Sequence, residues 1–220
     1  MDASILVNAV IVDFGLGNLY SVKHACEHVG IQATITNAKT MFERADVIIL
    51  PGIGAFGDAI HTLTKLGLVP VLREAALSGK PLVGVCLGMQ LLMTESHEFG
   101  RHPGLGLVEG QVVKFEGPVE GNQTLKVPQV GWNRIQKKGN REWDNSPLAG
   151  VRDGEFMYFV HSYYVQPRDK SVVLATTMYG NIEFCSSLIV KNIFATQFHP
   201  ERSGPRGLQI YGNIAAFAKR

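Results

Sequence analysis

Cys86 lies in a sequence pattern that is typical of an enzymatic nucleophile. The run Gly84-Val85-Cys86-Leu87-Gly88 follows an apolar segment and is the thiol counterpart of the G-x-S-x-G turn between a strand and a helix. Glycines two residues to either side allow other elements to approach such a strained turn closely. The turn also places the sulfur at the start of a helix, whose partial positive charge favours thiolate over thiol. We therefore expect Cys86 to be a nucleophile and the Leu87 N–H to stabilise an oxyanion.

The segment His199-Pro200-Glu201 supplies the other groups that a thiol nucleophile needs, a base and a group that orients the base. Pro200 biases His199 toward an extended backbone, in which residues i and i+2 project to the same side. By itself this tripeptide is more often a turn than a site. In a chain with a cysteine turn, it predicts a triad of Cys86, His199 and Glu201.

The remaining cysteines and histidines indicate neither a disulfide framework nor a metal site. Cys26 falls on the apolar face of a predicted helix and Cys185 within a predicted strand, so we expect both to be structural. Three widely spaced cysteines suit a reducing compartment, and we expect a cytoplasmic protein. Residues 24–28 match the metal-binding pattern H-x-x-E-H, but they lack a third ligand, and we interpret them as solvated surface. We expect no metal and no cofactor.

Charge and hydropathy argue against two classes of partner. The 220 residues include 21 Lys+Arg and 19 Asp+Glu, a formal net charge of +2, without a run of basic and aromatic residues suited to nucleic acid. The apolar stretch near the N-terminus is closed by Asp13, too early for a membrane span, and predicts a first buried strand. We therefore expect no nucleic acid or membrane partner. The length favours a single domain over residues 1–220.

The first hundred residues alternate between apolar runs and segments of helical period, which is the pattern of βα units around a parallel sheet. Strands are predicted to begin near Ile5 and within residues 47–51 and 81–85, with an extended segment at 31–37. The clearest helix has Asn18 as its N-cap and ends before Gly30, where a left-handed residue is expected. Further helices are predicted from about Phe56, within residues 69–77 and from about Leu87.

From residue 104 onward, short extended segments separated by Gly, Pro and Asn predict hairpins and additions to a mixed sheet. A strand at residues 193–200 and a helix at 207–220 close the chain. That helix is expected to have one apolar side, formed by Leu208, Tyr211, Ile214, Ala215 and Ala218. The polar stretch at residues 137–150 predicts an exposed loop. The fold class is therefore α/β, with a mostly parallel central sheet, flanking helices and additional antiparallel strands in the second half.

A glycine-rich turn at Pro51-Gly52-Ile53-Gly54 follows one of the strands and by itself predicts only a tight loop. Together with G-V-C-L-G and F-H-P-E, it resembles the pattern of class I, triad-type glutamine amidotransferases over essentially the whole chain. The resemblance implies the fold of that family and hydrolysis of L-glutamine through a cysteinyl thioester. It also implies that the Ile53 N–H is the second oxyanion donor.

Within that family, the sequence is similar to the glutaminase subunits of imidazole glycerol phosphate synthase. The similarity lies in residues 13–19, 84–92, 131–133, 161–163 and 198–207. It implies a one-to-one heterodimer with a barrel-type cyclase subunit, which receives the ammonia for histidine biosynthesis. The glutamine-binding residues implied by the resemblance are Gly52, Gly54, Gln90, Glu98, His161, Ser162 and Tyr163. The implied partner-facing residues are Asn18, Trp132 and Arg202, the last replacing the usual lysine.

Several other interpretations stay open. Gln90 and Glu98 could be exposed helix residues, Trp132 and Tyr163 core aromatics, and Asn18 a helix cap only. The chain could be the glutaminase of another pathway, such as anthranilate, para-aminobenzoate or pyridoxal phosphate synthesis, although residues 15–19 and 131–133 argue against this. It could be a non-catalytic subunit of the same fold, which the complete triad disfavours. A cysteine peptidase or chaperone-like protein would hydrolyse peptides but not glutamine.

Overall fold

The computed structural model describes residues 6–219. Its α-helices are α1 (Leu19–His28), α2 (Lys39–Arg44), α3 (Phe56–Lys65), α4 (Leu68–Leu77), α5 (Leu87–Leu91) and α6 (Gly204–Phe217), with short 3₁₀ helices at Lys170–Val172 and Pro200–Arg202. Its strands are β1 (Val7–Val12), β2 (Ile31–Thr36), β3 (Val47–Gly52), β4 (Leu82–Cys86), β5 (Met93–Ser96), β6 (His102–Pro103), β7 (Val108–Lys114), β8 (Val119–Glu120), β9 (Gln123–Thr124), β10 (Gln129–Arg134), β11 (Gln136–Lys137), β12 (Phe156–His161), β13 (Tyr163–Pro167), β14 (Val173–Tyr179), β15 (Ile182–Val190) and β16 (Ile193–Thr196).

An eight-stranded sheet forms the centre of the structure, in the order β11-β14-β15-β16-β4-β3-β1-β2. From β2 to β16 all neighbouring strands are parallel, whereas β16, β15, β14 and β11 are antiparallel to one another. The expected parallel sheet with antiparallel strands from the second half is therefore confirmed. The predicted strand start at Ile5 lies outside the described residues, and β1 begins at Val7.

Two further sets of strands lie beside this sheet. A four-stranded sheet has the order β13-β7-β5-β6, and β10 pairs with β12 in a separate antiparallel ladder. His161 ends β12 and Tyr163 begins β13, so the chain passes from one set to the other at Ser162. Strands β10, β12 and β13 come from the second half of the chain, and His161 and Tyr163 of the expected site lie on the last two of them.

The core has two layers, one on each face of the central sheet. Along β1, Ala9 and Ile11 belong to one layer and Val10 to the other, as the alternation of side chains in a strand requires. Helices α1 and α6 complete the first layer, and α2 to α5 complete the second. Cys86 belongs to the first layer and Leu87 to the second, so the turn between them lies where the layers meet.

The structure differs from the sequence-based expectations at three places, and at two of them a partner that is distant in the sequence is the reason. The helix after Leu87 ends at Leu91, since the next residues form β5 and pair with β7. The short helix α2 was not predicted. The polar stretch 137–150 is not fully exposed, because Trp143 is buried and its Nε1–H donates to the Leu174 carbonyl at 2.9 Å.

The first helix is close to its prediction. It begins after Asn18, although the Asn18 side chain makes no capping hydrogen bond to any described residue. Gly30 has φ +84°, the left-handed conformation expected after the helix. In α6, Tyr211 and Ile214 are buried as expected, and Ile210 and Phe217 extend the buried face. Within residues 6–219, no helix combines the length and the apolar character needed to cross a membrane.

Candidate active site

Three strand ends of the parallel part of the sheet meet at the candidate site. Cys86 ends β4, Gly52 ends β3 opposite Cys86 in the register, and His199 follows shortly after β16. The carboxyl ends of parallel strands lie at one edge of the sheet, which is where open α/β sheets bind ligands. The topology therefore brings together residues that are far apart in the sequence.

The turn at Cys86 has the strained geometry expected from its sequence. Cys86 has φ 55° and ψ −110°, a conformation that is rare for any residue with a side chain. A Cβ on Gly88 would lie 1.7 Å from the Leu50 carbonyl oxygen, and one on Gly84 would lie 3.0 Å from the Gly88 backbone. Since both contacts need glycine, they hold α5 close against β3 and β4. Helix α5 has only five residues, so the partial positive charge that it places at Cys86 is small.

His199 and Glu201 form a buried hydrogen-bonded pair. Nδ1 of His199 lies 2.7 Å from Oε1 of Glu201, and their side chains are 5% and 2% exposed, so water does not compete for the contact. His199 has the expected extended backbone, with φ −100° and ψ 96°. Residues Pro200–Arg202 instead form a 3₁₀ turn, which brings Glu201 back to the imidazole. The two side chains meet as predicted, but through a turn and not along a strand.

The ionisation of His199 depends on both of its neighbours. Burial by itself lowers the pKa of His199, whereas the charge of Cys86, hydrogen bonding to Cys86, and the hydrogen bond and charge of Glu201 together raise it to about 10. Nε2 is buried and makes no hydrogen bond of normal geometry to the part of the chain that is described. Because Nδ1 faces Glu201, Nε2 is the atom left for the sulfur. The imidazole is therefore protonated at neutral pH.

Backbone and hydroxyl contacts fix the turn that carries His199. The His199 N–H donates to the Tyr158 carbonyl at 2.9 Å, and the Ser203 hydroxyl donates to the His199 carbonyl at 2.7 Å. The same hydroxyl accepts from the Tyr158 N–H at 3.0 Å. A Cβ on Gly207 would lie 1.8 Å from the Pro200 carbonyl oxygen, so α6 packs directly on the turn. Strand β12 and helix α6 thus hold the imidazole from two sides.

Tyr211 lies behind Glu201 and was not singled out as a site residue. Its side chain is fully buried, and burial first, then the charges of Glu201 and Cys26, raise the pKa of Tyr211 well above its usual range. Neither its hydroxyl nor Oε2 of Glu201 has a normal hydrogen bond to another described atom. Tyr211 therefore remains a protonated phenol next to the carboxylate of Glu201.

A cavity of about 380 Å³ opens beside Cys86. This volume suits a small molecule. Its lining residues are Ile53, Gly54, Cys86, Leu87, Gln90, Glu98, Pro128, Val160, His161, Ser162, Tyr163 and Arg202. Most of the residues expected to bind glutamine thus line one cavity. Gly52 does not line it, because Leu87 and Phe14 cover the position that a Gly52 side chain would occupy.

Gln90 and Gln197 connect the cavity wall to the nucleophile. Nε2 of Gln90 donates to the Tyr163 carbonyl at 2.9 Å and to Oε1 of Gln197 at 3.1 Å. Nε2 of Gln197 in turn donates to Sγ of Cys86 at 3.6 Å. Gln90 is buried and not an exposed helix residue. Gln197 was not singled out from the sequence. Its place two residues before His199, in a segment predicted as a strand, is the signal that could have found it, because residues i and i+2 of a strand project to the same side.

His161 is a buried neutral histidine. Burial lowers the pKa of His161 to about 4, against the opposing effect of the Tyr163 carbonyl, which accepts from Nδ1–H at 2.8 Å. The nearby charge of His199 lowers it further. Nε2 is therefore an unprotonated acceptor, and it is buried without a hydrogen bond to residues 6–219. Tyr163 is buried, in agreement with the alternative that it is a core aromatic, but it also lines the cavity.

Glu98 lies in the loop after β5 and not on a helix. Its Oε2 accepts the Phe56 N–H at 2.5 Å, which satisfies a free donor at the start of α3. Burial raises the pKa of Glu98, and the bond from Phe56 opposes this rise. Because only one carboxylate oxygen is used by α3, the other remains available to the cavity.

The three residues expected to face a partner are all exposed. Trp132 is 56% exposed and is therefore not a core aromatic. Its ring meets that of Tyr158 edge-on at 6.2 Å, and the Arg202 guanidinium lies 4.7 Å from the same ring. Trp132, Tyr158 and Arg202 form a surface, here called the aromatic face, that reaches the cavity at Arg202. Asn18 is exposed elsewhere, in the loop that contacts Gly52 through Gly17.

Metal-binding residues do not cluster anywhere in the described range 6–219, where no group of three or more His, Cys, Asp or Glu side chains could hold an ion. His24 and His28 of the H-x-x-E-H pattern are exposed on α1, as expected of solvated surface. Cys26, Cys86 and Cys185 are all free and buried. Burial raises the pKa of both Cys26 and Cys185 to about 12. These two thiols therefore stay protonated and inert at neutral pH.

Comparison with known sequences identifies similar proteins over nearly the whole chain. The family model described as Glutamine amidotransferase class-I matches residues 10–215. Imidazole glycerol phosphate synthase subunit HisH of Syntrophotalea carbinolica is 48% identical over 208 residues, which are 93% of this chain and 98% of that protein. The protein of the same name from Aquifex aeolicus is 43% identical over 215 residues, 97% of this chain and 99% of that protein.

Solved structures support the fold. A crystal structure of a glutamine amidotransferase matches with a TM-score of 0.70 at 22% identity, covering 94% of this chain and 98% of that one. The structure of PurLQS from Thermotoga maritima matches with a TM-score of 0.73 at 19% identity, covering 97% and 99%. The α/β fold expected from the sequence is therefore confirmed.

Proposed function

The chain belongs to the class I glutamine amidotransferases and, among them, to the HisH subunits of imidazole glycerol phosphate synthase, and on this premise we propose its reaction and its catalytic residues. It hydrolyses L-glutamine to glutamate and ammonia and delivers the ammonia to a cyclase subunit in histidine biosynthesis. The observation that carries this proposal is the buried pair of His199 and Glu201 acting on Cys86 beside a cavity of about 380 Å³. Relatives of 43–48% identity favour this pathway over the other glutaminase pathways.

The first half of the reaction forms a thioester. The Cys86 thiolate attacks the side-chain amide carbon of glutamine, and the electron pair of the C=O bond moves to oxygen. The His199 imidazolium gives its proton to the amide nitrogen, and the C–N bond breaks to release ammonia. The acyl group stays on sulfur, and His199 is left neutral.

The second half of the reaction restores the enzyme. Neutral His199 takes a proton from water, and the oxygen of that water attacks the thioester carbon. Collapse of this intermediate breaks the C–S bond, which releases glutamate and regenerates the thiolate and imidazolium. Glu201 holds the ring in one orientation through both halves, since its Oε1 lies 2.7 Å from Nδ1.

Two backbone N–H groups are proposed to stabilise the oxyanion. Leu87 follows the nucleophile and is 2% exposed, so its N–H acts away from bulk water. Ile53 is 47% exposed and precedes Gly54, which has φ +95°, so its peptide is far less constrained. We propose that partner binding orients the Ile53 N–H. Loss of one such donor costs about 100- to 1000-fold in rate, which is enough to keep the isolated chain a poor glutaminase.

Glutamine is proposed to contact Gly54, Gln90, Glu98, His161, Ser162 and Tyr163, all of which line the cavity. Gly52 is proposed to act indirectly, as the end of β3 beneath the oxyanion turn. The free oxygen of Glu98 suits the α-ammonium group of the substrate, because a carboxylate accepts charge-assisted hydrogen bonds.

Thiol labelling tests the nucleophile. A reactive glutamine analogue is incubated with the complex of this chain and the cyclase subunit, and the adduct is located by mass spectrometry. We expect one adduct, on Cys86, and more than about 1000-fold loss of glutaminase activity in Cys86→Ala. Cys185→Ala is the matched control, because that thiol is also buried but lies in β15. Activity in Cys86→Ala, or labelling of Cys26 or Cys185 in its place, would overturn the proposal.

The aromatic face is proposed to contact the cyclase subunit in a one-to-one heterodimer, together with Asn18. Exposed aromatic and arginine side chains are the types that most often dominate binding energy. We expect Trp132→Ala to weaken the complex about 10- to 100-fold, measured by calorimetry, with light scattering for the stoichiometry. Leu77→Ala is the control, because Leu77 is 82% exposed on α4, in the other layer. If Trp132→Ala and Leu77→Ala change the affinity equally, the aromatic face is not part of the interface.

We also propose that the protein acts in the cytoplasm and that residues 1–220 form one domain. Support for the compartment comes from three free cysteines, because disulfides are rare where thiols are kept reduced. Fractionation of the source cells tests the location, and recovery in an extracytoplasmic fraction would contradict it.

A further inference from the structure

We propose that Gln197 is a further catalytic residue, which holds the Cys86 sulfur as a thiolate by donating a hydrogen bond from Nε2, and that Gln90 fixes the direction of that bond. This inference rests on the proposed function, since it concerns the nucleophile of the same site. It assigns a role to a side chain that is fully buried and contacts the reacting atom.

The position of Gln197 is fixed by its backbone. It follows β16, and its N–H donates to the Ser186 carbonyl on β15 at 2.9 Å. From this position Nε2 lies 3.6 Å from Sγ of Cys86, at the end of the neighbouring strand β4. Gln197 and His199 are thus two residues apart on one extended segment and reach the same sulfur. Gln197 supplies an N–H donor that does not titrate. His199 supplies the proton that is transferred in the proposed reaction.

The direction of the amide follows from the groups that surround it. The Tyr163 carbonyl can only accept, so the Gln90 amide must turn its NH₂ group toward it. The second N–H of that group donates to Gln197 at 3.1 Å, which requires the carbonyl oxygen of Gln197 on that side. The NH₂ group of Gln197 is then left facing the sulfur. Both N–H donors of Gln90 are used, so only its oxygen is available to the substrate.

The direction matters because Cys86 and Gln197 are both buried, with 6% and 0% of their surface exposed. A reversed Gln197 amide would place a carbonyl oxygen against a thiolate, and the repulsion between them is strong where water is excluded. A correctly turned amide gives a hydrogen bond to a charged acceptor, which contributes more than a neutral one. A merely space-filling Gln197 would leave the ionisation of the sulfur unchanged. The ionisation of the Cys86 sulfur therefore distinguishes a hydrogen-bond donor at position 197 from a side chain that only fills space.

The rate of alkylation of Cys86 by iodoacetamide, followed by mass spectrometry without glutamine, measures the thiolate fraction. Gln197→Met keeps the shape of the side chain but removes the donor, and we expect alkylation at pH 7 to be about 10-fold slower in the complex with the cyclase subunit. Gln197→Glu replaces the donor by an acceptor, and we expect a decrease of about 100-fold. At a pH high enough to ionise the thiol in every variant, the rates should agree to within about twofold.

Gln90→Met is the third variant, and it tests the role of Gln90, because it leaves Gln197 in place but frees the Gln197 amide to rotate. We expect an intermediate decrease of about threefold in the same assay. Gln166→Glu is the matched control, since the Gln166 amide is half-buried and bonded to Gln111 and Tyr164, away from the site. It should alkylate at the wild-type rate. Thermal unfolding of each variant shows whether it is folded.

The outcomes separate this inference from the proposed function. Wild-type alkylation rates at pH 7 in folded Gln197→Met and Gln197→Glu would overturn the role of Gln197, even if Cys86→Ala is inactive. A decrease that persists at high pH would also overturn it, because it would indicate a displaced sulfur. Glutaminase activity in Cys86→Ala would instead overturn the proposed function.

Discussion

His161 and His199 are both buried at the candidate site, but their pKa values shift in opposite directions because their neighbours differ. The pKa of His199 is raised to about 10 by a charged sulfur and a carboxylate, which outweigh burial. The pKa of His161 is lowered to about 4 because burial is opposed only by a backbone carbonyl. One ring therefore holds the mobile proton of the proposed reaction. His161 remains neutral and lines the cavity.

Glu201→Gln is expected to reduce kcat by at least about 100-fold, because the ring loses the charge that orients it and stabilises its protonated form. The variant should also alter the dependence of stability on pH. The folded-state pKa of His199, about 10, lies above its ordinary value of 6.5. Its protonation therefore stabilises the fold fully below pH 6.5, and this contribution disappears as the pH rises to about 10.

Urea unfolding of wild type and Glu201→Gln between pH 6 and 10 measures this effect. The difference between their free energies of unfolding should shrink as the pH rises. A constant difference across this range would show that Glu201 does not act through the charge of His199.

His161 should make the protein sensitive to acid. Between pH 6.5 and about 4, the unfolded chain binds a proton at His161 and the folded chain does not, so stability falls with falling pH. We expect this residue to account for roughly 3 kcal/mol over that range. In His161→Phe, the new ring fits among Phe115, Phe159 and Phe184. The loss of unfolding free energy between pH 6.5 and about 4 should be smaller in this variant by that amount. If urea unfolding gives the same loss of unfolding free energy over this pH range in both proteins, the lowered pKa of His161 is contradicted.

Among the elements, the contact between α5 and β3 is the one on which the nucleophile turn depends. Gly88 lies against the Leu50 carbonyl oxygen, and the backbone of Cys86, two residues earlier, has a strained conformation. The strain persists because the surrounding strands β3, β4 and β16 are buried and paired on both sides. The geometry of one residue is thus set by the packing of four elements.

Gly88→Ala is expected to destabilise the protein by about 3 kcal/mol or more, because its Cβ would meet backbone that cannot move away. Gly212→Ala is the matched control, since it lies within α6 and its Cβ would meet nothing within 4 Å. There we expect a gain of about 0.5 to 1 kcal/mol from helix propensity. Chemical denaturation measures both, and similar values for the two variants would contradict the packing argument.

Across the whole molecule, the antiparallel strands of the second half share a core with the parallel half. Trp143 contacts the carbonyl of Leu174 on β14 and belongs to the same layer as α1, α6 and β1. Cys86 is in that layer too, with residues of β12, β14 and β15. Since the two halves bury each other's apolar surface, neither is expected to be stable alone.

Residues 1–220 are therefore expected to unfold in one cooperative transition. In Trp132→Phe the remaining tryptophan, Trp143, reports only on the buried core. Its fluorescence and the far-ultraviolet circular dichroism should then follow the same curve in urea, with one midpoint. Two separate midpoints would show that the second half is an independent unit and would contradict the single domain.

Local pattern was enough to predict the alternation of strands and helices, the strained turn at Cys86 with its flanking glycines, and the contact between His199 and Glu201. These features depend on residues within a few positions of each other, where side-chain periodicity and turn chemistry act directly. The pairing of His199 with Glu201 was predicted from strand alternation, but it is made by the 3₁₀ turn at Pro200–Arg202. The family resemblance then pointed to glutamine hydrolysis. The functional assignment to a family therefore required no coordinates.

The folded structure was needed for every contact between distant parts of the chain. It showed that Gln197 reaches Cys86, that the buried Trp143 donates to a carbonyl of β14, and that the helix at Leu87 ends after five residues and is followed by β5. Each depends on a partner that lies elsewhere in the sequence. A hydrogen bond or a strand pair of this kind leaves no local periodicity, because its free energy is gained only when the chain brings the partners together.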